Sequence, residues 1–344
     1  MKRKWMMLAC LFLLFSGCGT KKADQYYEEG ISALETEDYD TAIACFEQVI
    51  AEEERLPEAY RAYGIAWMEK QSYPEAIAAF SRSLNNLEDN NKAFKEDVQF
   101  YLAQARLANG EPDKAISVYG DILKEGVNVQ AFFLRGKTYL SQNDYENAQK
   151  DFKRALEDCE DYNLYINIYQ LYVERGKAAE GNEYLEMALE LTPETGEDYY
   201  HRGRIYEYQK LYEDAKESLV SSLKLEYEDA MLLLGRIYLK MDDSASARSM
   251  YQDYLAKSDQ DAKAYNGLAL CDIYEGNYDG ALENVQKWLN EQDEEANQGL
   301  LYNEIVAYEY KKDFETAKKK IESYLELYPD DEKAIRENEF LSTR

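Results

Sequence analysis

One pattern of apolar, small and polar residues recurs along the chain from residue 23 onward. In its clearest copy, residues 132–139 carry aromatic residues and a glycine, and residues 148–155 return to alanine and phenylalanine after a polar segment. Apolar residues spaced three and four apart predict amphipathic α-helices, and the polar segment between them predicts a turn. The pattern therefore predicts an all-α chain of repeated helical hairpins.

The period of the pattern is given by a small residue near the start of each second helix. It is an alanine, or once a glycine, at Ala42, Ala76, Ala115, Ala148, Gly181, Ala215, Ala247, Ala281 and Ala317. The intervals are 34, 39, 33, 33, 34, 32, 34 and 36 residues, and the long interval predicts an extension near residues 85–97. A period of this length is typical of solenoids, in which each hairpin buries its apolar face against its neighbours.

These positions resemble the tetratricopeptide repeat, a helical hairpin with a period of about 34 residues. Two further copies carry the resemblance, with Tyr60, Gly64, Trp67, Tyr73, Ala76 and Phe80 in one and Tyr199, Gly203, Tyr206, Tyr212, Ala215 and Leu219 in the other. The resemblance covers residues 23–331 and implies a right-handed helical-hairpin solenoid of about nine repeats. Residues 332–344 are predicted to form a charged capping helix.

The first seventeen residues have the layout of a secretory signal peptide. A basic start is followed by eleven apolar residues, 5–15, and then by Ser16, Gly17 and Cys18. An apolar run of this length is too short to cross a hydrocarbon core of about 30 Å. Residues 14–18 resemble the bacterial lipobox, although Phe15 stands where leucine is usual. The resemblance implies removal of residues 1–17, a lipid on Cys18, a short tether over 18–22, and a place on the cell membrane or outer membrane outside the cytoplasm.

The composition of the chain mainly excludes classes of function. The chain carries 68 acidic and 40 basic residues and a net charge of −28, which disfavours nucleic acid as a partner. It has a single histidine, His201, and none of its five cysteines forms a Cys-x-x-Cys motif. It also lacks the sequence motifs of a phosphate-binding loop, a nucleophile elbow and a zinc protease. We therefore predict no catalytic residue, no metal ligand and no cofactor, and we expect a protein that is not an enzyme.

The resemblance implies instead a groove that is lined by the first helix of each repeat and binds a protein or peptide partner. The candidate groove residues are Phe133, Lys137, Tyr200, Arg204, Arg236 and Lys240. Lys137, Arg204 and Arg236 occupy the same position of their repeats, and three aligned cations favour an acidic or carboxylate-terminated partner segment. The alternative is that they are ordinary solvated positions, with Arg204 balanced by Glu207 three residues later.

The sequence leaves three functions open. The first is a lipid-anchored scaffold of the cell envelope that binds partner proteins through the groove. The second is an assembly factor of an envelope machine, of the outer-membrane insertion or pilus type. The third is an accessory protein associated with peptidoglycan or another carbohydrate, because the chain has 32 tyrosines and a tyrosine-rich surface could stack on sugars.

Overall fold

The computed structural model describes residues 21–88, 91–257, 262–289 and 298–344. Within these ranges the chain forms nineteen α-helices and no strand. It divides into two compact units, Met1–Cys159 and Glu160–Arg344, which we call unit 1 and unit 2. The prediction of an all-α fold made of helical-hairpin repeats is confirmed. The predicted signal peptide, residues 1–17, and Cys18 lie outside the described residues.

Unit 1 contains four helical hairpins. Its helices are α1 (Lys21–Glu35), α2 (Tyr39–Ala51), α3 (Leu56–Glu69), α4 (Tyr73–Asn85), α5 (Lys92–Ala108), α6 (Pro112–Lys124), α7 (Val129–Ser141) and α8 (Tyr145–Ala155). Helix α1 starts within the segment that the sequence assigns to a tether, two residues before the predicted boundary at residue 23. Helix α5 has 17 residues against 13 for α7, so the extension between the second and third repeats partly lengthens a helix.

Unit 2 contains five hairpins and a final single helix. Its helices are α9 (Tyr162–Glu174), α10 (Ala178–Leu189), α11 (Gly196–Tyr208), α12 (Tyr212–Lys224), α13 (Ala230–Lys240), α14 (Ser244–Leu255), α15 (Ala262–Tyr274), α16 (Tyr278–Leu289), α17 (Gln298–Tyr310), α18 (Phe314–Leu327) and α19 (Glu332–Ser342). No described helix in either unit is both long enough and apolar enough to cross a membrane.

The turn inside each hairpin has the same backbone conformation in all nine repeats. One residue of each turn has a positive φ of 60–76°, and these residues are Glu37, Gln71, Gly110, Asn143, Gly176, Lys210, Asp242, Gly276 and Lys312. An aspartate often follows and caps the second helix, as Asp144 does by accepting a hydrogen bond from the backbone N–H of Asn147 at 3.2 Å. The repeated turn fixes the angle at which the second helix returns along the first.

The helices of a hairpin approach closely where a glycine faces a large side chain. A Cβ atom added to Gly64 on α3 would lie 2.6 Å from Cε1 of Phe80 on α4, and one added to Gly136 on α7 would lie 2.8 Å from Cε1 of Phe152 on α8. Ala148, beside Phe152, is fully buried. Repeat formation therefore depends on small residues at fixed positions, as the period of the sequence implies.

Helix α19 packs on the last hairpin through one side only. Ala334 and Leu341 are buried in a cluster with Ile305 and Tyr324. The opposite side leaves Ile335 39% exposed, and Phe340 is 42% exposed. The final helix is thus less uniformly polar on its outer surface than the charged cap that the sequence predicts.

Candidate functional site

The first helices of successive repeats contact one another along unit 2, and in unit 1 α1 contacts α3 and α3 contacts α5. In unit 2, α9 contacts α11, α11 contacts α13, α13 contacts α15, and α15 contacts α17. Their outward side forms one surface, which we call the first-helix face of unit 2. Of the residues that the sequence selects, it carries Tyr200, Arg204, Arg236 and Lys240.

Arg204 on α11 is held by two hydrogen bonds from a single nitrogen. Its Nη1 donates to Oδ1 of Asn163 on α9 at 3.0 Å and contacts Nδ1 of His201 at 3.1 Å. The guanidinium also lies 6.0 Å from the centre of the Tyr200 ring. No acceptor in the described part of the chain is bonded to Nε or Nη2. The edge of the guanidinium that pairs with a carboxylate in bidentate fashion is therefore open.

His201 is buried between α9 and α11. Its ring stacks on Tyr162 with the ring centres 6.2 Å apart, and its Nε2 lies 3.6 Å from Oε1 of Glu197. Burial lowers the pKa of the imidazole, and the charge of Arg204 lowers it further, whereas Glu197 acts in the opposite direction. His201 is therefore neutral at neutral pH and can accept the hydrogen bond from Arg204.

Arg236 on α13 forms an ion pair with the preceding repeat. Its Nη2 donates to Oε2 of Glu207 on α11 at 2.7 Å. The alternative interpretation of the sequence had Glu207 balance Arg204. In the structure Glu207 is bonded to Arg236 instead. The side chain of Arg236 stays 56% exposed, so solvent and a partner can both reach it.

The charges around the Tyr200 hydroxyl are balanced. Burial raises the pKa of Tyr200, and the nearby charges act on it in opposite directions, with Arg204 and Arg236 lowering it and Asp229 and Glu207 raising it. Two cations and two carboxylates thus surround this phenol. The surface is therefore less basic here than three aligned cations would make it.

The two remaining cations and the remaining aromatic residue are distributed over both units. Lys240 on α13 is exposed, and so is Lys137 on α7. Phe133 on α7 is half-buried, with its ring centre 6.1 Å from that of Phe152. Lys137 and Phe133 lie in unit 1, whereas the other four candidate residues lie in unit 2.

Amide side chains connect neighbouring first helices at further points. Nε2 of Gln170 on α9 donates to the hydroxyl of Tyr208 on α11 at 2.7 Å. Nδ2 of Asn303 on α17 donates to Oδ1 of Asn266 on α15, also at 2.7 Å. These bonds fix side chains that would otherwise lose conformational freedom when a partner binds.

Two sequence models of the tetratricopeptide repeat match the chain. One matches residues 27–91, 100–163 and 232–299, and the other matches residues 199–229, so together they cover more than half of the sequence. The chain belongs to the tetratricopeptide repeat family. Tetratricopeptide repeats bind protein or peptide partners and generally act as scaffolds, which agrees with a first-helix face that has open hydrogen-bond donors.

Solved structures of other tetratricopeptide repeat proteins are similar at low identity. A tetratricopeptide repeat protein from Parabacteroides merdae is 14% identical with a TM-score of 0.44, over 83% of this chain and 100% of that one. PilF of Pseudomonas aeruginosa is 20% identical with a TM-score of 0.42, over 63% and 97%. YrrB, a tetratricopeptide repeat protein with an unusual peptide-binding site, is 24% identical with a TM-score of 0.36, over 55% and 97%. No curated protein sequence matches the chain.

Sequence reasoning missed the two residues that hold Arg204. His201 had no evident partner in the sequence, and Asn163 was not selected at all. The repeat register contained the signal, because Asn163 lies 41 residues before Arg204, one repeat plus two helical turns. In the described ranges, no three histidine, cysteine, aspartate or glutamate side chains converge as metal ligands would.

Proposed function

We propose that this tetratricopeptide repeat protein is a lipid-anchored scaffold of the cell envelope that binds an extended segment of a partner protein on the first-helix face of unit 2. The observation that carries the binding site is the open edge of Arg204, which Asn163 and His201 hold in place beside the Tyr200 ring. A fixed guanidinium loses little conformational entropy when it binds a carboxylate.

The proposed partner segment carries at least one carboxylate. Arg204 offers Nε and Nη2 to it, and the exposed Arg236 and Lys240 follow on α13. Because Glu207 and Asp229 also act near Tyr200, a uniformly acidic segment would meet repulsion as well as attraction. We therefore propose a segment of mixed polarity with a carboxylate at the Arg204 position.

The anchor is proposed from the lipobox resemblance of residues 14–18. Helix α1 begins at Lys21, three residues after Cys18. Three residues span at most about 10 Å, so a lipid on Cys18 would keep the first repeat close to the membrane surface. Stable anchoring requires two or more acyl chains, which a lipidated N-terminal cysteine supplies.

Mass spectrometry of the mature N-terminus tests the anchor. The expected result is a chain that starts at an acylated Cys18, and the Cys18→Ala variant should remain unprocessed or leave the membrane fraction. An unmodified N-terminus at any other residue would contradict the lipid anchor without affecting the binding site.

Selection from a displayed peptide library on the mature chain tests the binding site. Peptides that carry aspartate or glutamate are expected to be enriched, and they should lose affinity for the Arg204→Ser, Arg236→Ser double variant. A matched control replaces the half-buried Lys216 on second helix α12 and the exposed Lys319 on second helix α18 with serine. Enriched peptides that bind both double variants equally well would place the site elsewhere.

A further inference from the structure

The hydrogen bond between Arg204 and His201 fixes the protonation state of the imidazole. A guanidinium carries only donors, so Nδ1 of His201, 3.1 Å from Nη1 of Arg204, must accept. A neutral imidazole has one acceptor nitrogen and one N–H, and the proton therefore sits on Nε2. Nε2 faces Oε1 of Glu197 at 3.6 Å and Nδ2 of Asn163 at 3.2 Å, and because this amide nitrogen is itself a donor, it cannot form a hydrogen bond with the Nε2–H. A neutral ring accepts from only one of its two donor neighbours, and the charged guanidinium is the stronger donor, so Nδ1 is the acceptor.

A second proton on the ring would remove the only ring atom that can accept from Arg204. Nδ1–H would then point at the Nη1–H of Arg204, and two positive charges would be about 3 Å apart in a largely buried place. Asn163 alone would remain to hold Nη1. The guanidinium would therefore leave its position beside Tyr200.

We infer that His201 is a positioning residue, which holds Arg204 in its binding orientation only while the imidazole is neutral, so that carboxylate binding at Arg204 weakens in acid. This inference rests on the proposed function for its binding step, whereas the hydrogen bond itself is independent of any partner. His201 is the single histidine of the chain, so its titration is observed without overlap from another imidazole.

The groups that act on the ring come from α9 and α11. Arg204 opposes protonation, and Glu197 and Asp161, the residue before α9, favour it. Asp198 also interacts with the ring, and its own pKa is lowered in part by His201. Tyr162 and Tyr200 contribute neutral rings, which stack or tilt against the imidazole with centres 6.2 and 5.4 Å away.

Nitrogen NMR of His201 in the mature chain tests the hydrogen bond directly. The parent protein is expected to show the Nε2–H tautomer and an imidazole pKa below the usual 6.5. Arg204→Gln should raise that pKa, and Glu197→Gln should lower it. Arg236→Gln is the matched control, because Arg236 is bonded to Glu207 and not to His201. An Nδ1–H tautomer, or an unchanged pKa in Arg204→Gln, would overturn the inference.

Binding measurements test the consequence. The probe is an aspartate-containing peptide selected on the mature chain, and its asparagine isostere is the control. For the parent protein, the preference for aspartate is expected to fall at least twofold between pH 7.5 and one unit below the measured His201 pKa. In His201→Gln, whose amide oxygen accepts without titrating, the preference should fall only as far as protonation of the aspartate itself requires. A parent preference that falls no further than that of His201→Gln would overturn the inference, whereas failure to select any peptide would count against the proposed function alone.

Discussion

In the fifth repeat, a large residue replaces the first-helix glycine of other repeats, and a glycine replaces the buried alanine of the second helix. The position that holds Gly136 or Gly203 in other repeats is Tyr169 on α9, and the position of the buried alanine on the second helix is Gly181 on α10. A Cβ atom on Gly181 would lie 2.7 Å from Cβ of Tyr172 and 3.2 Å from Cδ2 of Tyr169. The missing methyl group of Gly181 leaves room for Tyr169 and Tyr172, so close packing is preserved.

Gly181→Ala is therefore expected to destabilise the protein, although alanine favours helix more than glycine does. Cβ of Tyr172 is attached to the backbone and cannot move aside, so we expect a net loss of about 1–2 kcal/mol in the free energy of unfolding. Gly120→Ala on α6 is the matched control, because its Cβ would meet only Nη1 of Arg135 at 3.5 Å. That control should gain about 0.5–1 kcal/mol. Urea unfolding measures both, and equal effects would contradict the packing.

At this scale the sequence predicted which residues share a face but not which residues they bind. Tyr200, Arg204 and Arg236 were placed on first helices because repeat positions are equivalent. One interpretation of the sequence had Glu207 balance Arg204, but in the structure Nη2 of Arg236, from the next repeat, donates to Glu207 at 2.7 Å. Such bonds depend on side-chain rotamers and on the offset between neighbouring helices, and the repeat period determines neither.

Between the elements α17 and α19, two carboxyl groups face each other. Glu309 lies within hydrogen-bonding reach of Glu337, and Oε1 of Glu309 is buried without a partner in the described part of the chain. Burial and the charge of Glu337 raise the pKa of Glu309 to about 7. Lys333 partly offsets this effect, and its Nζ lies 4.1 Å from the centre of the Tyr302 ring. One proton shared by the two carboxyl groups would relieve their repulsion.

The pH dependence of stability should show this pair. Because the folded state raises the pKa of Glu309 from 4.5 to about 7, its stabilising contribution is complete below about pH 4.5 and is lost as the pH rises to about 7. Glu309→Gln should remove the loss of stability that ionisation of Glu309 causes. Its melting temperature should therefore fall less between pH 5 and pH 8 than that of the parent. The exposed Glu339 on α19 provides the control Glu339→Gln. Parallel pH profiles for Glu309→Gln and the parent would contradict the shared proton.

The helices themselves followed from the sequence more closely than their contacts did. Each hairpin matched an apolar period and a polar turn, so nineteen helices appear in the described ranges where nine pairs and a final helix were predicted. For residues 85–97 the sequence predicted an extension that is polar and rich in asparagine, but not its conformation. Part of it is helical in α5, since Asn91 caps that helix by accepting from the N–H of Phe94 at 3.1 Å.

At the scale of the whole molecule, the main helix contacts in the described part of the chain join elements that are near in sequence, as expected for stacked repeats. Unit 1 has four hairpins and unit 2 has five plus α19. Three or more repeats usually suffice for a stable array. The repeat period predicted the array but not its division after Cys159, because residues 156–161 resemble the other short polar connections.

We therefore expect residues 18–159 and 160–344 to fold when they are produced separately. Each fragment should show a dominantly helical circular dichroism spectrum and a cooperative thermal transition. Cleavage inside a hairpin, after residue 176 between α9 and α10, serves as the comparison and should lower the stability of both products. Two unfolded fragments from the cut after Cys159 would show that neither unit is independent.

The central claim is that a partner protein binds the first-helix face of unit 2. Photo-crosslinking in the native cell tests it most directly, with a photoreactive residue at Arg236 or Lys240 on α13, and in the control variants at the exposed Glu217 on α12 or Gln252 on α14. We predict that one and the same protein is captured from both α13 positions and from neither control position. Capture from the second helices alone, or equal capture from all four positions, would contradict the claim.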